Sequence, residues 1–220
     1  DIVSVHPYVH DAPPDSEDVL PARHISIAND LQQIRQTLAS HGNQNKPVWF
    51  TELEWHRENG AFPADARPFP VSERLQAAYM TRLYLIAMRL GVERVLAGMT
   101  GDADNFNGGF FNNNDGSWWE QTYATQNLIE LMPNPKLTGA INDGSNGYYA
   151  YTFDPDVNNP SDTEITVAWN VEFPITVNLP AETGKEYRIV DMLGGTRNVV
   201  ASSNQLSVDI GPCPTYIIPQ

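Results

Sequence analysis

The chain has 220 residues, 41% of them hydrophobic, enough for one large domain or two small ones with a real core. Asp and Glu outnumber Lys and Arg by 27 to 13, giving a formal net charge of -14 that repels nucleic-acid phosphates and anionic lipid surfaces and favours neutral partners. The single cysteine, Cys213, excludes an internal disulfide and a thiolate metal cluster, and no apolar run approaches the roughly 20 residues that cross a bilayer.

The chain opens on Asp1 rather than Met, which predicts a processed product or a piece of something longer. Residues 2–5 form a short apolar strand ending in His6-Pro7-Tyr8, and a Pro- and Asp-rich loop follows. Ile27, Leu31, Ile34 and Leu38 repeat at three and four residues, the stripe of an amphipathic helix that Gly42 stops. Residues 48–51 read as a second strand, and Pro63, Pro68 and Pro70 mark a loop. Ser72 is a good N-cap for a long apolar helix closed by Gly91. Residues 92–99 read as a third strand, 101–116 as an Asn- and Gly-rich loop, and 118–131 as a third helix ended by Pro133. Three consecutive strand-helix units, each with its long loop after the strand, fit a (β/α) barrel, whose functional loops follow the strands.

Beyond Pro133 the pattern changes. Short, mostly alternating β-rich segments near 147–153, 164–169, 175–179, 187–190, 198–200, 206–210 and 215–218 are separated by Gly, Asn, Asp or Pro, the spacing of an antiparallel sandwich. The expected fold class is therefore α/β plus all-β, with residues 1–132 a partial (β/α)8 barrel and 133–220 a small antiparallel β-sandwich.

The run Val48-Trp49-Phe50-Thr51-Glu52-Leu53-Glu54-Trp55 drives an apolar strand straight into a carboxylate, at the strand end where parallel α/β proteins gather their active sites. Glu52 and Glu54 project to the same side of an extended strand, so spacing does not choose between them, and acids this close raise one another's pKa. Asp102, Asp104 and Asn107 offer oxygen ligands but fail as an EF-hand loop and read as a solvated turn. The chain has no phosphate-binding Gly-rich loop, no His pair at metal spacing and no nucleophilic Ser elbow, so no metal and no cofactor is expected.

These motifs resemble a family. His6-Pro7-Tyr8 is similar to the His-x-Tyr that ends barrel strand six of the clan A retaining glycoside hydrolases, and Thr51-Glu52-Leu53-Glu54-Trp55 resembles their Thr-Glu-x-Gly-Trp region on strand seven. The resemblance covers nearly the whole chain, as the last three βα units of such a barrel and the β-sandwich that often follows. It implies hydrolysis of O-glycosyl bonds in β-linked glycans, with Glu52 as catalytic nucleophile, Tyr8 as its hydrogen-bond donor and His6 as an orienting group. Trp55 is an implied substrate contact, Glu54 a sugar-hydroxyl ligand or a surface residue, and Phe106 and Trp118 are candidates for the stacking platform, since rings stack on the apolar faces of sugars. Glu54 stands where a Gly is common, and strand eight lacks the family's aromatic.

Retaining hydrolysis needs a second carboxyl about 5 to 5.5 Å from the nucleophile. The family places it after strand four, which this sequence does not contain. The expected partners are therefore an oligo- or polysaccharide substrate and an N-terminal barrel half, or another chain, covering the open sheet; the chain alone is expected to be inactive. Secretion or a periplasmic location follows from the substrate class. The alternative reading is a non-catalytic carbohydrate-binding or assembly module.

Overall fold

Runs of Val, Phe and Trp make the strands of the first part of the chain, and Ser residues cap its first two helices. The computed structural model describes all residues except 10–11, 17–18, 21–22, 25, 59–69, 97–100, 102–106 and 160–162, with the backbone alone at 19–20 and 23–24. Strand β1 (Val3–Val5) leads to a small hairpin of β2 (Val19–Leu20) and β3 (Arg23–His24). Helix α1 (Ile27–Ser40) starts where the Ser26 hydroxyl accepts the Asn29 amide at 3.2 Å, and it buries Ile27 and Leu31. Strand β4 (Val48–Phe50) follows. Helix α2 (Glu73–Arg89) is capped in the same way by Ser72 and is buried on nearly every side from Gln76 to Ala87. Strand β5 (Arg94–Val95) and helix α3 (Glu120–Leu131) complete this part. Residues 97–100, the expected end of the third strand, lie outside the described residues.

Strands β1, β4 and β5 pair in parallel in that order, with Val5 opposite Phe50 and Phe50 opposite Val95. Parallel pairing puts all three carboxyl ends at one edge, so the segments beginning at His6, Thr51 and Leu96 leave the sheet together. Val48, Phe50, Leu53, Trp55, Met80 and Leu83 share one core cluster with Ile27 and Leu31 of α1. The fully buried Arg82 of α2 donates through Nε to Asp15 Oδ2 at 2.9 Å, and its Nη2 meets Oδ1. This ion pair anchors the loop after β1.

The later part is antiparallel. Strands β6 (Lys136–Asp143), β7 (Tyr148–Asp154), β8 (Ile165–Asn170), β9 (Ile175–Pro180), β10 (Glu186–Val190), β11 (Thr196–Val200), β12 (Gln205–Ile210) and β13 (Thr215–Pro219) make two sheets. One has the order β11-β10-β13-β8-β7-β6, and the other pairs β9 with β12. Leu206, Val208 and Ile210 alternate inward from β12 and meet Ala150, Ala168, Ile189 and Ile217 of the larger sheet in a common core. Strand β6 went unread in the sequence because it is an edge strand with alternating exposure, a Gly139 and two register shifts against β7, so its apolar signal is diluted.

By packing, the chain divides into two compact units, 1–122 and 123–220. The change of pattern at Pro133 comes later than this division, which falls inside α3. The second half of α3 is tied to the β10–β11 turn by Asn127, whose Nδ2 reaches Asp191 O at 3.1 Å and Met192 O at 3.3 Å.

Candidate active site at the strand ends

Glu52 is fixed through its neighbours. The Thr51 amide donates to Val5 O at 3.0 Å, and the Thr51 and Ser4 hydroxyls lie 2.5 Å apart, so β4 is pinned to β1 one residue before the carboxylate. The Glu52 side chain is 47% exposed. Its Oε1 accepts the Tyr8 hydroxyl, and its Oε2 lies 3.5 Å from His6 Nδ1. A tight turn through Pro7, in which the Tyr8 amide donates to His6 O at 2.9 Å, brings both rings to the same carboxylate, edge to face at 6.4 Å. Burial, the hydrogen bond to Glu52 and the charges at Glu52 and Glu54 push the Tyr8 phenol well above its ordinary value, so it stays a donor.

Glu54 has the opposite setting. It is buried, its Oε1 stands 3.9 Å from His56 Nε2, and its Oε2 receives no hydrogen bond. A Cβ at Gly108 would stand 2.9 Å from that Oε2, so the missing side chain at 108 lets the loop lie against the carboxyl where it stands. Burial first, and then the charge on Glu52, raise the Glu54 carboxyl above the usual range; burial and then the Arg57 guanidinium lower the His56 imidazole. Both directions favour the neutral form.

A buried polar frame supports this edge. Arg57 Nη1 donates to Gln76 Oε1 and to Gly109 O, both at 2.9 Å, and its guanidinium lies 4.1 Å from the centre of the Trp119 ring. Gln76 Nε2 in turn reaches Trp55 O at 2.6 Å and Asn107 O at 3.2 Å, and Gln121 Nε2 reaches Gly108 O at 3.2 Å. The loop after β4, the loop after β5 and helix α2 are thus held in one arrangement. The sequence reading missed Ser4, Arg57, Gln76 and Gly108. The available signal was Gln76, an amide inside a mostly apolar helix.

The structure brings Glu52, Tyr8 and His6 together and places Glu54 beneath the 107–109 loop. Trp55 is a correction to the expected substrate contacts. It is 1% exposed, donates its indole N–H to Ala12 O at 3.0 Å and packs edge-on against Tyr79, so its ring belongs to the core. Trp118 is 53% exposed and bridges to Phe111, which is also exposed. Phe106, Asp102 and Asp104 lie outside the described residues. Among the described residues no group of three or more His, Cys, Asp or Glu is placed to hold a metal ion, and no helix is long and apolar enough to cross a membrane.

No family model and no curated protein matches the chain. Solved structures do. A family 39 glycoside hydrolase from the gut symbiont Bacteroides cellulosilyticus matches with a TM-score of 0.71 at 21% identity, covering 99% of this chain and 44% of that one. A GH51 arabinofuranosidase from Xanthomonas axonopodis matches with a TM-score of 0.56 at 12% identity over 100% of this chain and 53% of that one, and a GH39 β-xylosidase from Caulobacter crescentus with 0.53 at 13% over 100% and 51%. The chain spans about half the length of the enzymes it matches. The chain shares the fold of the matching part of these structures.

Proposed function

We propose that this chain is the carboxyl-terminal part of a retaining glycosidase acting on β-linked glycans, contributing the last three βα units of a barrel, a β-sandwich and the nucleophile half of the active site. The observation that carries the proposal is the half-exposed Glu52 carboxylate, met by a phenol and an imidazole from the neighbouring strand at the carboxyl edge of a parallel sheet. Glu52 attacks the anomeric carbon, and Tyr8 holds the attacking carboxylate in place by donating to Oε1. His6 orients Oε2 or the sugar. Trp118 supplies a stacking surface, and Phe106 is a second candidate for that role. The acid that protonates the leaving oxygen, and later activates water against the glycosyl-enzyme, comes from an N-terminal barrel half or another chain that covers the open sheet. The substrate class places the protein outside the cytoplasm, secreted or periplasmic.

The test is covalent trapping. With the barrel completed, a 2-deoxy-2-fluoro β-glycosyl fluoride should leave one sugar on the peptide containing Glu52, and E52Q should remain unlabelled. A label on a different carboxylate rejects the assignment. The 220-residue chain alone should not turn over aryl β-glycosides, and robust turnover would show that the acid lies within it. Sugar binding that survives in a completed protein with neither labelling nor turnover would identify a non-catalytic binding module instead.

A further inference from the structure

We propose that Glu54 is a neutral carboxylic acid held beside the nucleophile, a positioning residue that leaves Glu52 the single negative charge at the end of β4. The role rests on the proposed function; the state of the group rests on its burial and contacts and does not depend on that reading. Two carboxyls two residues apart on an extended strand project to one side. A second anion there would hold a proton on the pair and weaken the attacking oxygen. Their surroundings separate them.

Glu52 is half exposed and meets the Tyr8 hydroxyl and His6. The Glu54 side chain is 7% exposed, one oxygen receives no hydrogen bond, and among the described residues the titratable nitrogen that faces it, His56 Nε2, stands at 3.9 Å, beyond hydrogen-bond length. An ionised carboxylate with so few donors and so little water is a costly arrangement, whereas a carboxylic acid tolerates it. Among the described residues, the groups facing Glu54 supply little compensation. Its own segment presents Glu52, which repels a second anion, and His56, whose buried ring resists a proton. Arg57 directs Nη1 at Gln76 and Gly109 and stacks on Trp119. The loop after β1 brings the Tyr8 phenol, α2 brings the Gln76 amide, and the 107–109 loop brings Asn107 and two glycines that do not titrate. Glycine at 108 lets the backbone close over the acid. The raised acidity range of Glu54 agrees with this geometry.

The test compares the 220-residue chain with E54Q by urea unfolding across pH. The sign follows from Glu54 keeping its proton in the folded chain at pH values where the unfolded chain releases it. The resulting penalty is absent below the ordinary Glu range, grows by up to about tenfold in folding equilibrium per pH unit, and is complete above the raised Glu54 value. E54Q should lack this loss, so it should gain on the wild type as pH rises. Parallel profiles, or a variant that loses stability relative to wild type as pH rises, would overturn the proposal. Should E54Q fail to fold, infrared spectra of the wild-type chain decide: a protonated carboxyl band persisting above the ordinary Glu range supports the proposal, and full ionisation with the other carboxyls rejects it. Neither measurement uses turnover. If Glu52 fails to label while the stability difference holds, the enzymatic reading fails and the neutral acid stands.

Discussion

The two units bury different chemistry. At the carboxyl edge of the parallel sheet, Glu54, His56, Arg57, Gln76, Asn107 and Gln121 are all buried, and Asp15 pairs with Arg82 in the same unit. The core shared by the two antiparallel sheets is aliphatic and aromatic. Among the described residues of 123–220, Asn170 is the one buried polar side chain without a ring, and it serves a turn by accepting the Glu172 and Phe173 amides at 3.0 and 3.1 Å. Buried polar groups cost free energy unless hydrogen-bonded, while an apolar core needs mainly volume and pattern. The first unit therefore carries polar burial that stability alone does not require, and it lies next to the one carboxylate that both neighbouring rings address. Substitutions in the two units should accordingly have different signatures.

The largest effect separates chemistry from folding. On the proposed function, E52Q in the completed protein should lower turnover of aryl β-glycosides by on the order of 10^6-fold, as the loss of a covalent nucleophile does elsewhere. Because Glu52 is half exposed, the urea midpoint should barely move, by the equivalent of about 0.5 kcal/mol or less. A large loss of stability in E52Q would mean the carboxylate is structural and would erase the contrast between the units.

The next effects are on stability. D15N leaves the Arg82 guanidinium buried without its anion and should cost about 3–5 kcal/mol, read from urea unfolding. Replacing both partners by apolar residues of similar volume should cost less than D15N, since no charge then stays buried. In the second unit, L206A removes a 1% exposed side chain from the shared core and should cost about 2–5 kcal/mol, with labelling at Glu52 unchanged in the folded protein. Equal costs for D15N and the double apolar variant would show that Arg82 finds another anion.

Much of this arrangement was legible in advance because it is local. Period two in β12, the stripe of α1, the Ser72 cap and the Thr51-Glu52 junction are each written within a few residues. The meeting of Tyr8 and His6 with Glu52 crosses more than forty residues and came through the motif resemblance, not through spacing. Trp55 misled because its position in a site motif outweighed its bulk: one and three residues past a half-exposed Glu52, Leu53 and Trp55 are both 1% exposed, and the indole is held by Ala12 and Tyr79. Glu54 was ambiguous for a related reason. Alternation put it on the Glu52 side, and the loop that lies against it, through the glycine at 108, is more than fifty residues away. Gln76 and Arg82 stand out as polar residues of a mostly apolar helix, but what they support was not legible, since their partners come from loops whose path no periodicity specifies.

The smallest predicted effect sharpens the picture of the buried pair. Burial and the Arg57 charge lower the His56 imidazole from its ordinary 6.5, so below that pH the unfolded chain takes up a proton that the folded chain refuses. Stability should then fall as pH drops from about 6.5 through the lowered His56 value, by up to about 1.4 kcal/mol per pH unit. The slope opposes that of Glu54, whose penalty grows with rising pH, and in weakly acidic solution the two partly cancel in the wild-type chain. H56Q should remove the acid-side loss and expose the Glu54 slope alone. If H56Q leaves the acid side unchanged, His56 holds its proton in the folded chain, and the 3.9 Å approach to Glu54 is then an ion pair, which would make residue 54 an anion after all.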